Sequence, residues 1–207
     1  MQDLGPATDD HVILAWLQAE IVSERFRKYI VGDPPDPRAL AIVRPLAHTP
    51  DLTDRQQNRD RRHIIGGMRG FGRGVNAFQG IANDVAWRRA HVSVAEVGAM
   101  LYINDGGWRT LAPTTLLVSE GASNAGQVPA DGGATNMHIL SIARDICHTD
   151  PVPQYPELIC LNRPDRRISL IEGNTRATAY VIEAHRLPDG VDIYLGSSAS
   201  IATWKYL

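Results

Sequence analysis

Between Leu170 and Tyr180 the chain reads Leu-Ile-Glu-Gly-Asn-Thr-Arg-Ala-Thr-Ala-Tyr, an apolar run that breaks at Glu172-Gly173 and resumes at helical spacing with an arginine in its first turn. Residues of those types in that order suit an anion. Gly173 permits a tight turn that a side chain would resist. The first N–H groups of a helix have no partner within it, and the macrodipole adds positive potential where they point. Arg176 brings a fork of donors matched to phosphate oxygens. Gly173, Asn174, Thr175 and Arg176 are therefore the candidate phosphate-binding residues. Glu172 has two readings. It is a metal-holding or base carboxylate beside the phosphates, because Mg2+ is usually held by one or two carboxylates plus substrate oxygens. Alternatively, it settles the amides of the helix it precedes. On the residues alone the turn reads first as an ordinary strand-to-helix junction, with Arg176 paired to a surface carboxylate.

A resemblance shifts that order. Glu172-Gly173-Asn174-Thr175-Arg176, with Ala179 following, resembles the (Asp/Glu)-Gly-x-x-Arg-x-x-Ala signature of the ParB/sulfiredoxin superfamily, which includes ParB CTPases, free serine kinases and sulfiredoxins. It covers the C-terminal half of the chain only. The resemblance implies a nucleotide triphosphate or diphosphate (CTP, ATP or ADP) with Mg2+, and phosphoryl transfer or nucleotide hydrolysis. The enzyme would be a ParB-like nucleotide hydrolase or a small-molecule kinase with a small-molecule acceptor. Sulfiredoxins carry their catalytic Cys directly after the Gly, where this chain has Asn174, so thiol peroxide repair is not expected. The kinases carry two histidines between Gly and Arg, and ParB proteins carry Glu-Arg. Asn174-Thr175 matches neither, so the resemblance speaks for a phosphate pocket rather than for one reaction. A kinase also needs a carboxylate to orient the accepting hydroxyl and take its proton. Glu120 is the candidate, because it follows the Leu116-Leu117-Val118 run, where the relatives place functional residues after an early strand.

The alternative, from another class, is a nucleic-acid-binding or nuclease-like module. Arg55, Arg59, Arg61, Arg62, Arg69 and Arg73 lie among glycines 66, 67, 70, 72 and 74, with Phe71 as a stacking platform. Arg61, Arg62, Arg69 and Arg73 could track a nucleic-acid backbone, although Asp51, Asp54 and Asp60 dilute their field. The same stretch also reads as a solvated flexible loop, or as a lid over the phosphate pocket. A third class is an inert interaction domain, which no nucleotide would stabilise.

The elements that must position these residues can be read along the chain. Residues 10–29 carry Ile13, Trp16, Leu17 and Ile21 at helical spacing. The Gly32-Asp33-Pro34-Pro35-Asp36-Pro37 segment ends that helix, and residues 38–46 remain strand or helix. Ser93 and Glu96 form a capping box for a helix that begins near Val94. Thr114 to Val118 favours a strand, and residues 121–134, rich in glycine and serine, read as a long mobile loop. Ile139, Ile142, Ala143 and Ile146 give a helix stopped at Pro151-Val152-Pro153. Strands follow at 158–161 and 167–171, then the helix bearing Ala177, Tyr180, Val181 and Ala184, then a strand with Val191, Ile193 and Leu195 inward.

The expected fold is α+β: a ParB/sulfiredoxin-like mixed sheet with flanking helices over residues 93–207, preceded by an N-terminal helical and loop region over 1–92. With 207 residues, 43% apolar and 21% charged, and a net charge of −2, the chain has no global pull towards nucleic acid or an anionic membrane. Cys147 and Cys160 show no metal spacing and are expected as reduced thiols in a cytoplasmic protein. No apolar stretch reaches the roughly 20 residues of a spanning helix. His63, His91, His138, His148 and His185 show no zinc-site spacing.

Overall fold

Leu158-Ile159-Cys160-Leu161 presents apolar side chains alternately to two sides, so a sheet built on it needs cover on both faces. The computed structural model, which describes residues 1–23, 26–69, 84–127 and 133–204, supplies that cover. In chain order the elements are β1 (Gln2–Ala7), α1 (Asp9–Ile21), α2 (Arg27–Val31), α3 (Pro37–His48) and α4 (Arg55–Arg69). Then come β2 (Ala86–Val92), α5 (Val94–Gly98), α6 (Gly106–Leu111), α7 (Val118–Asn124) and α8 (Gly133–His148). The last are β3 (Leu158–Asn162), β4 (Ile168–Glu172), α9 (Asn174–Ile182) and β5 (Val191–Ser197).

Among the described residues the strands form one mixed sheet of five in the order β1-β2-β5-β3-β4, so the chain is α+β as expected. Only β3 and β5 run parallel; the other neighbours are antiparallel. Alternation along each strand separates two cores. Trp87, Ile159, Leu161, Ile171 and Tyr194 face Trp16 and Leu17 of α1, Val43 and Leu46 of α3 and Ile65 of α4. Leu158, Cys160, Leu170, Ile193 and Leu195 face Ile139 and Ile146 of α8 and Ala177 and Tyr180 of α9. The result is a sheet between two helical layers. The segment 1–92 therefore contributes a whole layer and two strands, with Ala86 to Val92 laddered against Ser197 to Val191.

Three expectations change. Residues 55–69 are helical rather than a flexible loop: Asp54 Oδ1 accepts from Gln56 N at 2.7 Å to start α4, and Ile65 is fully buried. Residues 70–74, with Phe71 and Arg73, lie outside the described residues. Thr114 to Leu117 forms no strand but only an isolated bridge, Leu101 to Leu117, and Val118 already belongs to α7. The cause is Glu120, whose carboxylate accepts from the amides of Thr114 (3.0 Å) and Thr115 (2.7 Å) and folds the run back. The stretch 121–134 is not one loop, since α7 takes its start and α8 its end.

Residues 10–29 divide into α1 and α2, and the undecided 38–46 are α3, opened by Pro37 and capped by Asp36, which accepts from Arg38 N at 2.9 Å. The Ser93–Glu96 capping box forms with both reciprocal bonds, 3.2 and 2.8 Å. Cys147 and Cys160 are unbridged, and no helix among the described residues is long and apolar enough to cross a membrane.

Candidate functional site at the β4–α9 turn

β4 ends at Glu172, which pairs across the ladder with Ile159. Gly173 then adopts a left-handed conformation (φ 90°, ψ 16°), as its lack of a side chain allows, and α9 begins. No side chain caps this helix start, and its ladder opens with Ala177 N donating to Gly173 O at 2.8 Å. Strand, glycine turn, helix and arginine are thus arranged as the sequence implies.

The side chains are placed less openly. Arg176 is 7% exposed and folds back over its own turn. Its Nη1 donates to the Pro156 carbonyl, while Nη2 lies 3.7 Å from Glu172 Oε1, beyond hydrogen-bond range. Among the described residues, Nη2 is buried without a hydrogen-bond acceptor, and so is Asn174 Oδ1 without a donor. A Cβ built on Gly173 would come within 2.6 Å of Leu158 Cδ2 and 3.0 Å of Arg176 Nη2. Leu158 and the guanidinium therefore fill the space in front of the glycine, and the open, amide-lined mouth implied by the motif is closed in this conformation. Thr175 is half-buried, and α9 is further pinned where Thr178 Oγ1 bonds Asn174 O (2.8 Å) and Tyr102 Oη (2.6 Å).

Around Arg176 stand Tyr155 and Tyr180, with ring centroids 6.2 Å apart, and burial pushes the Tyr180 hydroxyl up to about 12. Glu157, the residue after Pro156, pairs with Arg89 at 3.0 Å. Arg89 also holds Asp192 at 2.9 Å, and Asp192 accepts from His91 Nδ1 at 2.6 Å. Sequence reasoning overlooked this network, because β2, β5 and the segment before β3 that carry its members come together only after folding.

Glu120 is committed to a turn of its own, before α7. Its carboxylate accepts from the Thr115 hydroxyl as well as the two amides, and these bonds hold it down to about 2, the hydroxyl contributing most. So acidic a group is a poor acceptor for a substrate proton. Its observed work is to shape the turn before α7. As for metal, no group of three or more His, Cys, Asp or Glu gathers among the described residues.

Two of the four arginines expected to track nucleic acid are placed, and Arg61 is not on the surface. Arg61 is fully buried, donating to Leu46 O (3.2 Å), Asp51 O (3.1 Å) and Gln57 Oε1 (3.2 Å). Arg62 pairs with Asp10 at 2.9 Å and lies 3.7 Å from Asp9. The side chain of Arg69 and all of Arg73 lie outside the described residues. A surface groove lined by Pro6, Thr8, Asp9, Trp87, Arg88 and Ser197 lies at the opposite end of the sheet from Glu172 and gathers no motif residue.

Comparison of the chain with protein-family models, with curated proteins and with solved structures finds no match in any of the three.

Proposed function

We propose that the β4–Gly173–α9 turn binds the phosphate tail of a nucleotide, as the ParB/sulfiredoxin-like motif implies. One observation carries this reading: a guanidinium more than nine-tenths buried keeps one nitrogen unsatisfied beside an uncapped helix start. A buried donor left without an acceptor costs about 1–3 kcal/mol, so an oxyanion that reaches Arg176 Nη2 gains what the free protein forgoes. The residues fit an anion better than a resident metal. Mg2+ would arrive with the phosphates, and Glu172 is the carboxylate at hand for it.

The proposal rests at binding. Phosphoryl transfer or nucleotide hydrolysis is the chemistry such a turn would serve, but Glu120 is committed to Thr114 and Thr115. With Arg61 inside and Arg62 neutralised, the nucleic-acid reading has no comparable support.

Titration calorimetry with CTP, ATP and ADP in the presence of Mg2+ tests the reading. Wild type should bind at least one of them, and Arg176→Ala should weaken that binding by roughly 1.5–3 kcal/mol, the range for a charge-assisted contact. A wild type that binds none of the three removes the proposal.

A further inference from the structure

We infer that Glu172 is an internal competitor for the phosphate site, holding Arg176 in a latched position that an incoming oxyanion must release. This rests on the reading of the turn as a phosphate site. The buried guanidinium requires a counter-charge. Glu172, four residues before it across the Gly173 turn, supplies one, with Oε1 3.7 Å from Arg176 Nη2.

The geometry is that of a stand-in rather than of an optimal pair. At 3.7 Å the carboxylate supplies attraction without a hydrogen bond, and Nη2 stays unsatisfied. A phosphate oxygen can give both, at the shorter distance of a charge-assisted bond. Binding is then an exchange of partners. The guanidinium leaves Glu172 for the ligand. The same latch explains why the turn is closed: Arg176 Nη2 and Leu158 Cδ2 occupy the space in front of Gly173.

The consequence is opposite to that of a simple ligand-holding carboxylate. Removing the charge of Glu172 should tighten anion binding instead of weakening it. The measurement is calorimetric titration of inorganic pyrophosphate, in EDTA so that no divalent ion bridges to Glu172, into wild type, Glu172→Gln, Arg176→Ala and the double variant. Glu172→Gln should bind about twofold to fivefold more tightly than wild type, the modest worth of an ion pair that makes no hydrogen bond. Arg176→Ala should abolish that gain in the double variant. If wild type binds through Arg176 but Glu172→Gln binds equally or less tightly, the latch is overturned while the phosphate site stands. If no protein binds pyrophosphate, or if Arg176→Ala binds as well as wild type, the phosphate site itself fails. Should Glu172→Gln melt as an unfolded protein, Glu172→Asp, which keeps the charge but draws it back by one methylene, should show the same tightening at smaller amplitude, and unchanged affinity there overturns the latch.

Discussion

Arg61 and Arg176 are both nearly sealed from water, and they differ in what surrounds the fork. Both terminal nitrogens of Arg61 are engaged, by the carbonyls of Leu46 and Asp51 and by the side chains of Gln57 and Asn58, and only its inner Nε is buried without an acceptor among the described residues. It is a strut that closes the end of α3 and the loop after it onto α4. Arg176 has one nitrogen bonded and one waiting. The first arrangement is what stability demands, whereas the second gives up some stability at a place where a ligand can return it. Arg61→Met should accordingly destabilise the fold by about 2–4 kcal/mol, since two carbonyls and two side-chain oxygens lose their donor in a buried setting. Equilibrium urea unfolding measures this directly, and a loss below about 0.5 kcal/mol would mean that the carbonyls find water instead. Nothing in the run from Arg55 to Arg73 marks Arg61 as the interior one, because two of its acceptors are backbone oxygens in Leu46 and Asp51, which carry no signature in the sequence.

At the scale of elements, the β4–α9 junction depends on Gly173 twice over, through its left-handed backbone and through the absence of a Cβ. Gly173→Ala would push against Leu158 Cδ2 at 2.6 Å and Arg176 Nη2 at 3.0 Å. The strained backbone and the displaced neighbours together should cost roughly 1–3 kcal/mol. The melting temperature of Gly173→Ala tests this, and an unchanged value would show that the turn has slack. The periodic elements of the second half were legible: β3, β4, α9 and β5 lie within a residue or two of where alternation and helical spacing put them. So was the Ser93 capping box, since each of these signals is local. β1 and β2 were not. Gly5-Pro6 looks like a turn, and Trp87-Arg88-Arg89 interrupts the apolar alternation, yet Trp87 is buried against α1 while Arg88 and Arg89 find Asp3 on β1 and Asp192 on β5. For the site, the motif identified the turn, but its closure depends on Pro156 and Leu158 from a different strand entrance.

For the whole molecule, charged side chains tie the lower end of the sheet together. His91 lies between the Asp192 carboxylate and the Asp189 carbonyl, with Asp189 and Asp192 facing it and Arg89 sharing Asp192. The bond to Asp192 contributes most to raising its proton affinity above the ordinary histidine value, with the Asp189 carbonyl second. A raised folded-state affinity stabilises the fold fully below the unfolded pKa, about 6.5, and the contribution disappears as pH climbs through the higher folded-state value. Wild type should therefore lose more thermal stability between pH 6 and 8 than His91→Gln, as scanning calorimetry at several pH values can read, and parallel slopes would deny His91 this role. A last consequence comes from the strand order. β5 is flanked by β2 on one side and β3 on the other, yet its residues are the last strand to leave the ribosome. Until Val191 to Ser197 emerge, the earlier strands exist only as two separate pairs whose inner backbones are bare, and during synthesis those edges need shielding from one another and from other nascent chains.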